Sequence, residues 1–100
     1  MKTSRYTDLD GNQSEATIEA EIVKQQGIGP AEKLIYFQTM RFIDGHLEYR
    51  FTYFIRSRKG KRQGQWVFGR NPLVLPPDDL AWLLSQARDK GWEGFGSTGL

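Results

Sequence analysis

The chain predicts an α+β domain: a curved four-stranded antiparallel sheet followed by a C-terminal helix, in the order β-β-β-β-α. Three observations carry this. Apolar residues alternate with period two in mid-chain segments bounded by glycine or proline. One apolar stripe of helical period stands near the C-terminal end. At 100 residues there is room for one core and no second folding unit. A chain of this size buries about two-thirds of its unfolded surface, enough to fold without staples. With 38% hydrophobic and 26% charged residues it belongs with soluble globular proteins rather than disordered ones. It has no cysteine, which excludes a disulfide framework, thiolate metal sites and cysteine catalysis. No apolar run approaches a membrane span, and the start of the chain lacks the apolar stretch of a secretory signal. A cytoplasmic protein with no membrane partner is therefore expected.

Residues 1–15 are polar, with Asp10-Gly11-Asn12 as punctuation, and are expected to form a flexible N-terminal arm. The single folded domain is expected over residues 16–92. Its first strand runs Ala16 to Gln25, with Ile18, Ala20 and Ile22 on one face and Glu19, Glu21 and Val23 on the other. Gly27-Ile28-Gly29-Pro30 breaks it. The second strand, Lys33 to Ile43, is rich in β-branched and aromatic residues and ends at Asp44-Gly45, a dipeptide preferred in two-residue type I′ turns. Which of its faces is exposed, Leu34, Tyr36, Gln38, Met40 and Phe42 or the alternating set, is a question of register. The third strand, His46 to Arg56, places Leu47, Tyr49, Phe51, Tyr53 and Ile55 on one face and Glu48, Arg50, Thr52, Phe54 and Arg56 on the other. Residues 57–64 (SRKGKRQG) form a basic loop, and Gln65 to Gly69 a fourth strand with Trp66 and Phe68 on one face.

The helix signal is the clearest. Pro76-Pro77-Asp78-Asp79 supplies proline for the first turn and acids for the positive end of the dipole. Leu80, Leu83, Leu84 and Ala87 make the apolar stripe. Arg88 and Lys90 suit the negative end, and Gly91 suits the C′ position with Trp92 placed to pack back. Residues 93–100 are expected to form a flexible Gly-rich tail.

One helix covers one face of such a sheet and leaves the other open. Charge is distributed unevenly along the chain. Between Arg41 and Arg70 eight basic residues face two acidic ones, a balance of +6, whereas the remainder carries six basic and ten acidic residues, or −4. A basic block is the electrostatic footprint of a protein that meets phosphates, and it is also a way to keep a hairpin tip soluble. Arg50, Phe54 and Arg56 interleave cations with a flat side chain on one strand face. Arg58, Lys59, Lys61 and Arg62 follow on the loop, and Trp66 lies beyond it. Single-stranded nucleic acid needs that combination, cations along the phosphates and rings on which bases stack. Phosphate contact is thus expected from Arg50, Arg56, Arg58, Lys59, Lys61 and Arg62, and stacking from Phe54 and Trp66. For Trp66 a place in the core is a competing reading.

Other motifs are weaker. Gly94-Phe95-Gly96-Ser97-Thr98-Gly99 fits GxGxxG but follows a helix instead of a strand. Asp8, Asp10, Asn12, Ser14 and Glu19 fall at EF-hand ligand spacings, but the turn glycine is misplaced and no helices flank them. His46, the only histidine, directly follows the hairpin turn and is expected to be an exposed turn residue with no carboxylate or nucleophile clustered on it. No catalytic residue, metal site or cofactor is expected, and the function is expected to be non-enzymatic.

The order of elements resembles the positive cofactor four family of single-stranded-DNA-binding transcriptional coactivators. The resemblance spans about Phe42 to Lys90: a glycine-turn hairpin (IDGHLEYRFTYFIR), a basic glycine-containing loop (SRKGKRQGQW), and the run from Gly69-Arg70 through Leu75-Pro76-Pro77-Asp78-Asp79 into the helix. It implies a homodimer whose paired sheets form a groove for unpaired strands, DNA favoured over RNA, with a role in transcription regulation. The chain departs from that pattern in its acidic N-terminal segment and its Gly-rich tail. The alternative is a protein-interaction or homodimerisation module of the same fold with no nucleic-acid role.

Overall fold

A computed structural model of the chain describes residues 2–7, 9–27, 31–57 and 64–96. Five strands, Lys2–Thr7 (β1), Gln13–Gln26 (β2), Ala31–Phe42 (β3), Leu47–Ser57 (β4) and Trp66–Phe68 (β5), precede one helix, Pro77–Asp89 (α1). The strands form one curled antiparallel sheet in chain order, a half-barrel. The α+β class and C-terminal helix agree with the sequence reading, while the strand count is five and not four. The difference lies in the segment expected to be an arm. Lys2 to Thr7 pairs with Ile18 to Gln13, so β2 begins at Gln13 instead of Ala16. The missed strand is polar and lies at the sheet edge, so it carries no apolar alternation to mark it. Among the described residues no helix is long and apolar enough to cross a membrane.

The strand pairs fix which side chains share a face. In β3 and β4, Ile35, Phe37 and Thr39 lie opposite Tyr53, Phe51 and Tyr49, while Tyr36 and Gln38 lie opposite Thr52 and Arg50. Strand residues alternate between faces, so the first set packs under α1 and the second faces away from it. The main core joins Ile22, Ile35, Phe37 and Tyr53 to Leu83 and Ala87 of α1. Phe37 is its aromatic centre, stacked on Phe51 at 4.3 Å and edge-on to Trp92 at 5.1 Å.

One departure alters the faces of β2. The register shifts between Ile18 and Ala20. The extra residue is Glu19, and such a bulge flips the alternation on either side of it. Ala20 and Ile22 therefore face the helix with Thr39 and Phe37, whereas Ala16 and Ile18 are buried on the opposite face beside Phe42 and Met40. The expectation that Ile18, Ala20 and Ile22 share one face is corrected accordingly. Thr39 ties the bulge down, its Oγ1 accepting from the Ala20 N–H at 2.9 Å.

The β3–β4 turn also differs from expectation. Gly45 N–H bonds to Phe42 O and Phe42 N–H to His46 O, leaving Ile43, Asp44 and Gly45 as a three-residue loop. Gly45 alone has positive φ there, at 92°, whereas a type I′ turn requires it at two successive positions. His46 stacks on Phe42 and bonds Asp44 and Glu48 through its two ring nitrogens. These hydrogen bonds, that of Glu48 foremost, raise its pKa above the ordinary histidine value. Two carboxylates thus cluster on His46 where none was expected, because the turn and the start of β4 fold them onto its ring.

α1 ends as the sequence suggests. Gly91, at φ 75°, donates to Arg88 O, and Trp92 donates to Ala87 O at 2.9 Å, the paired bonds of a Schellman motif. Of the expected stripe only Leu83 and Ala87 are fully buried; Leu80 and Leu84 stay 38% and 37% exposed. Phe95, expected in a flexible tail, packs against the main core.

Between β5 and α1 the chain passes tightly over Tyr53. Gly69 N–H donates to Tyr53 O, and the Tyr53 hydroxyl donates to Asn71 O, both at 2.7 Å. A Cβ on Gly69 would lie 2.1 to 2.5 Å from three carbons of the Tyr53 ring, far inside van der Waals contact. Gly69→Ala is expected to destabilise the domain by about 1–3 kcal/mol, the usual cost of overpacking. Thermal unfolding followed by circular dichroism should show a midpoint lowered by roughly 4–20 °C. An unchanged midpoint would contradict this packing.

Candidate nucleic-acid interface

The face turned away from α1 is the inner side of the curl. There a cleft of about 440 Å³ draws on all five strands: Lys2 and Ser4 from β1, Glu21 from β2, Tyr36 and Gln38 from β3, Arg50 and Phe54 from β4, and Phe68 from β5. Its floor is a continuous polar chain. Lys2 Nζ bonds Glu21 Oε1 at 2.6 Å, and Gln38 Nε2 bonds the other Glu21 oxygen at 2.8 Å. Arg50 then donates from Nε to Gln38 Oε1 at 3.0 Å and from Nη1 to Ser4 Oγ at 2.8 Å. The last bond crosses the curl and joins β4 to β1.

Charge along this chain is unequal. Burial pushes the Glu21 carboxyl upward, but bonds from Lys2 and Gln38 and the nearby cationic charges outweigh it and hold it below the usual carboxylate range. Lys2 is raised correspondingly, chiefly by its bond to Glu21. These two charges offset each other. Arg50 differs: its partners, Gln38 and Ser4, are neutral, and it forms no ion pair among the described residues. Desolvation lowers its pKa, and the Glu21 charge works against that. A guanidinium stays protonated regardless and offers five N–H donors, of which these bonds use two. A cation with spare donors thus sits at the base of a partly desolvated cleft.

Rings line the wall. Phe54 stands edge-on between Tyr36 at 5.8 Å and Phe68 at 5.6 Å. The β4–β5 register puts Trp66 opposite Arg56, whose guanidinium lies over the indole at 4.5 Å. Trp66 is 36% exposed and Phe68 52%. Trp66 is therefore not a core residue, which resolves the competing reading from sequence.

Of the expected site residues, Arg50, Phe54, Arg56 and Trp66 come together on this one face. They are not equivalent. Arg56 Nε and Nη2 both bond Glu32 Oε2, so a phosphate there would have to compete with a carboxylate. Phe54 is only half-exposed, and Phe68 and Tyr36 offer ring surface beside it. Arg58, Lys59, Lys61 and Arg62 lie outside the described residues. The sequence reading missed Lys2, Ser4, Glu21, Tyr36 and Gln38. Tyr36 and Gln38 belonged to the set whose exposure depended on register, and the others become visible only once the sheet curls.

Gln38, 6% exposed, links Glu21 to Arg50. Gln38→Leu keeps the bulk but leaves both charges without that partner, and is expected to cost about 1–3 kcal/mol. Urea unfolding measures this; a loss below about 0.5 kcal/mol would show that the network contributes little. No protein-family model, curated protein or solved structure matches the chain.

Proposed function

We propose that this chain is a non-enzymatic single-stranded nucleic-acid-binding domain with a regulatory role, and that the inner face of the curled sheet is its binding surface. The observation that carries the reading is Arg50, a guanidinium that among the described residues bonds only neutral groups, at the base of a ring-lined cleft. A partly desolvated cation with unused donors attracts a phosphate oxygen more strongly than one exposed to water. Tyr36, Phe68 and Trp66 offer faces to unstacked bases, which single strands present and duplexes do not. The basic loop, with Arg58, Lys59, Lys61 and Arg62, would extend phosphate contact beyond the cleft. Arg56 joins in when phosphate displaces Glu32. The reading accords with the resemblance to the positive cofactor four family, and DNA is favoured over RNA on that ground.

The rival reading, a protein-interaction module, draws on the large apolar side chains left exposed on α1, Leu80, Trp82 and Leu84. Salt separates the two. Fluorescence anisotropy of labelled oligo-dT and of a duplex should show preference for the single strand. Affinity should fall by about two to three orders of magnitude from about 50 to about 200 mM salt if some six phosphates are contacted. Arg50→Ala and Phe68→Ala should each weaken binding about 5- to 100-fold. Replacing Arg58, Lys59, Lys61 and Arg62 together with Ser should abolish it. Equal binding to both forms, unaffected by Arg50→Ala and Phe68→Ala, would leave only a basic patch; no binding at low salt would favour the protein module.

A further inference from the structure

Glu48 and Arg50 stand two residues apart on the inner face of β4 and line one recess of about 250 Å³ with Met40 and Phe42. Phe42 carries the His46 ring, stacked at 4.5 Å and 3° from parallel. That ring lies between two carboxylates. Its Nδ1 bonds Asp44 Oδ1, and its Nε2 bonds Glu48 Oε2 at 2.7 Å. A carboxylate only accepts, and a neutral imidazole carries a single N–H, so both bonds together require the cationic ring. The two bonds are not equally secured. Asp44 Oδ1 also accepts the His46 backbone N–H at 3.0 Å, which keeps it against Nδ1 whatever the charge on the ring. The Glu48 carboxylate has no other hydrogen bond among the described residues. Loss of the Nε2 proton turns a donor into a lone pair facing an anion, and that side opens.

We propose that His46 is a proton-operated latch that regulates the inner face: protonated it holds Glu48, and neutral it releases that carboxylate and weakens capture of a phosphate. The proton carries away one unit of positive charge, which leaves the recess beside Arg50 more negative and less attractive to a polyanion. This consequence rests on the nucleic-acid reading, whereas the latch itself rests on the two ring bonds. The other charged groups at this end of the sheet are paired. Arg41 of β3 donates to Gly45 O in the turn and to Glu19 of β2, and Glu15 of β2 pairs with Arg5 of β1. Asp44 and Glu48 are the charges that act on the ring, and both favour its cationic form. Asp44 is held below the usual carboxylate range, chiefly by the His46 backbone N–H, and stays ionised throughout. The sign follows from the raised histidine. The latch is closed below the ordinary value of about 6.5 and opens as pH rises through the higher folded value.

Two readings on the full chain test this. Ring C–H NMR of His46, the only histidine, follows its titration without nucleic acid. A midpoint above about 6.5 is expected, falling toward that value in Glu48→Gln. Anisotropy of labelled oligo-dT at low salt then gives affinity across the same pH range. A drop of about 2- to 5-fold with rising pH is expected, the effect of one unit charge near the site. Its midpoint should match that of the ring and move down with it in Glu48→Gln, and His46→Gln should bind without that step. A wild-type ring that titrates at about 6.5 and ignores Glu48→Gln would overturn the latch. A raised ring midpoint beside affinity that ignores pH would overturn the regulation. Oligo-dT that binds at no pH would overturn the nucleic-acid reading and the regulation with it, while the ring titration still decides the latch.

Discussion

The single extra residue in β2 is the constraint on which the rest depends. At Glu19 the alternation inverts, so one strand serves two buried surfaces: Ala20 and Ile22 under the helix, Ala16 and Ile18 inside the curl. A bulge bends its strand and increases the local twist. That bend carries β1 round until Ser4 meets Arg50, although two strands separate β1 from β4 in the sheet. Without it the polar chain across the floor could not close. The cleft is a consequence of register before it is a consequence of chemistry.

The two faces divide the work. Under α1, Phe37, Ile35, Leu83 and Ala87 exclude water, and the Schellman turn at Gly91 brings Trp92 down onto Tyr49 and Phe37. The inner face is polar at its floor and aromatic at its rim. Lys2 and Glu21 satisfy each other, while Arg50 is held by the neutral Gln38 and Ser4, with the Glu21 charge nearby. An arginine so placed costs desolvation energy that an incoming anion would offset. β4 pairs with β3 along most of its length and with β5 only at Phe54, Ile55 and Arg56.

The helix was the most legible element, because its end signals are local: prolines and acids at the start, glycine and tryptophan at the finish. The faces of β4 were also readable, since alternation from Leu47 to Arg56 is unbroken by any bulge. β1 was not, as a polar edge strand has no pattern that distinguishes it from an arm. Neither was the bulge. Glu19 sits in a run whose alternation looks continuous, and only pairing with β3 displaces it. The candidate face was legible to the same extent: that Arg50, Phe54, Arg56 and Trp66 share it follows from period two and pairing with β5. Glu32, which occupies Arg56, lies just before the expected start of its strand and is set opposite Arg56 by the three-residue turn, while Ser4, which reaches Arg50, comes from a strand whose approach no local pattern encodes.

The most direct measurement is side-chain NMR of the protein titrated with oligo-dT, reading the Arg50 Nε–H, the Tyr36 and Phe68 rings and the three tryptophan indoles. Trp66 lies on the inner face, while Trp82 lies on α1 and Trp92 packs against the core beneath it. The account predicts shifts at Arg50, Tyr36, Phe68 and Trp66, with Trp82 and Trp92 unmoved. Shifts at Trp82 with Arg50 and Trp66 unchanged would contradict it and place binding on the helix side.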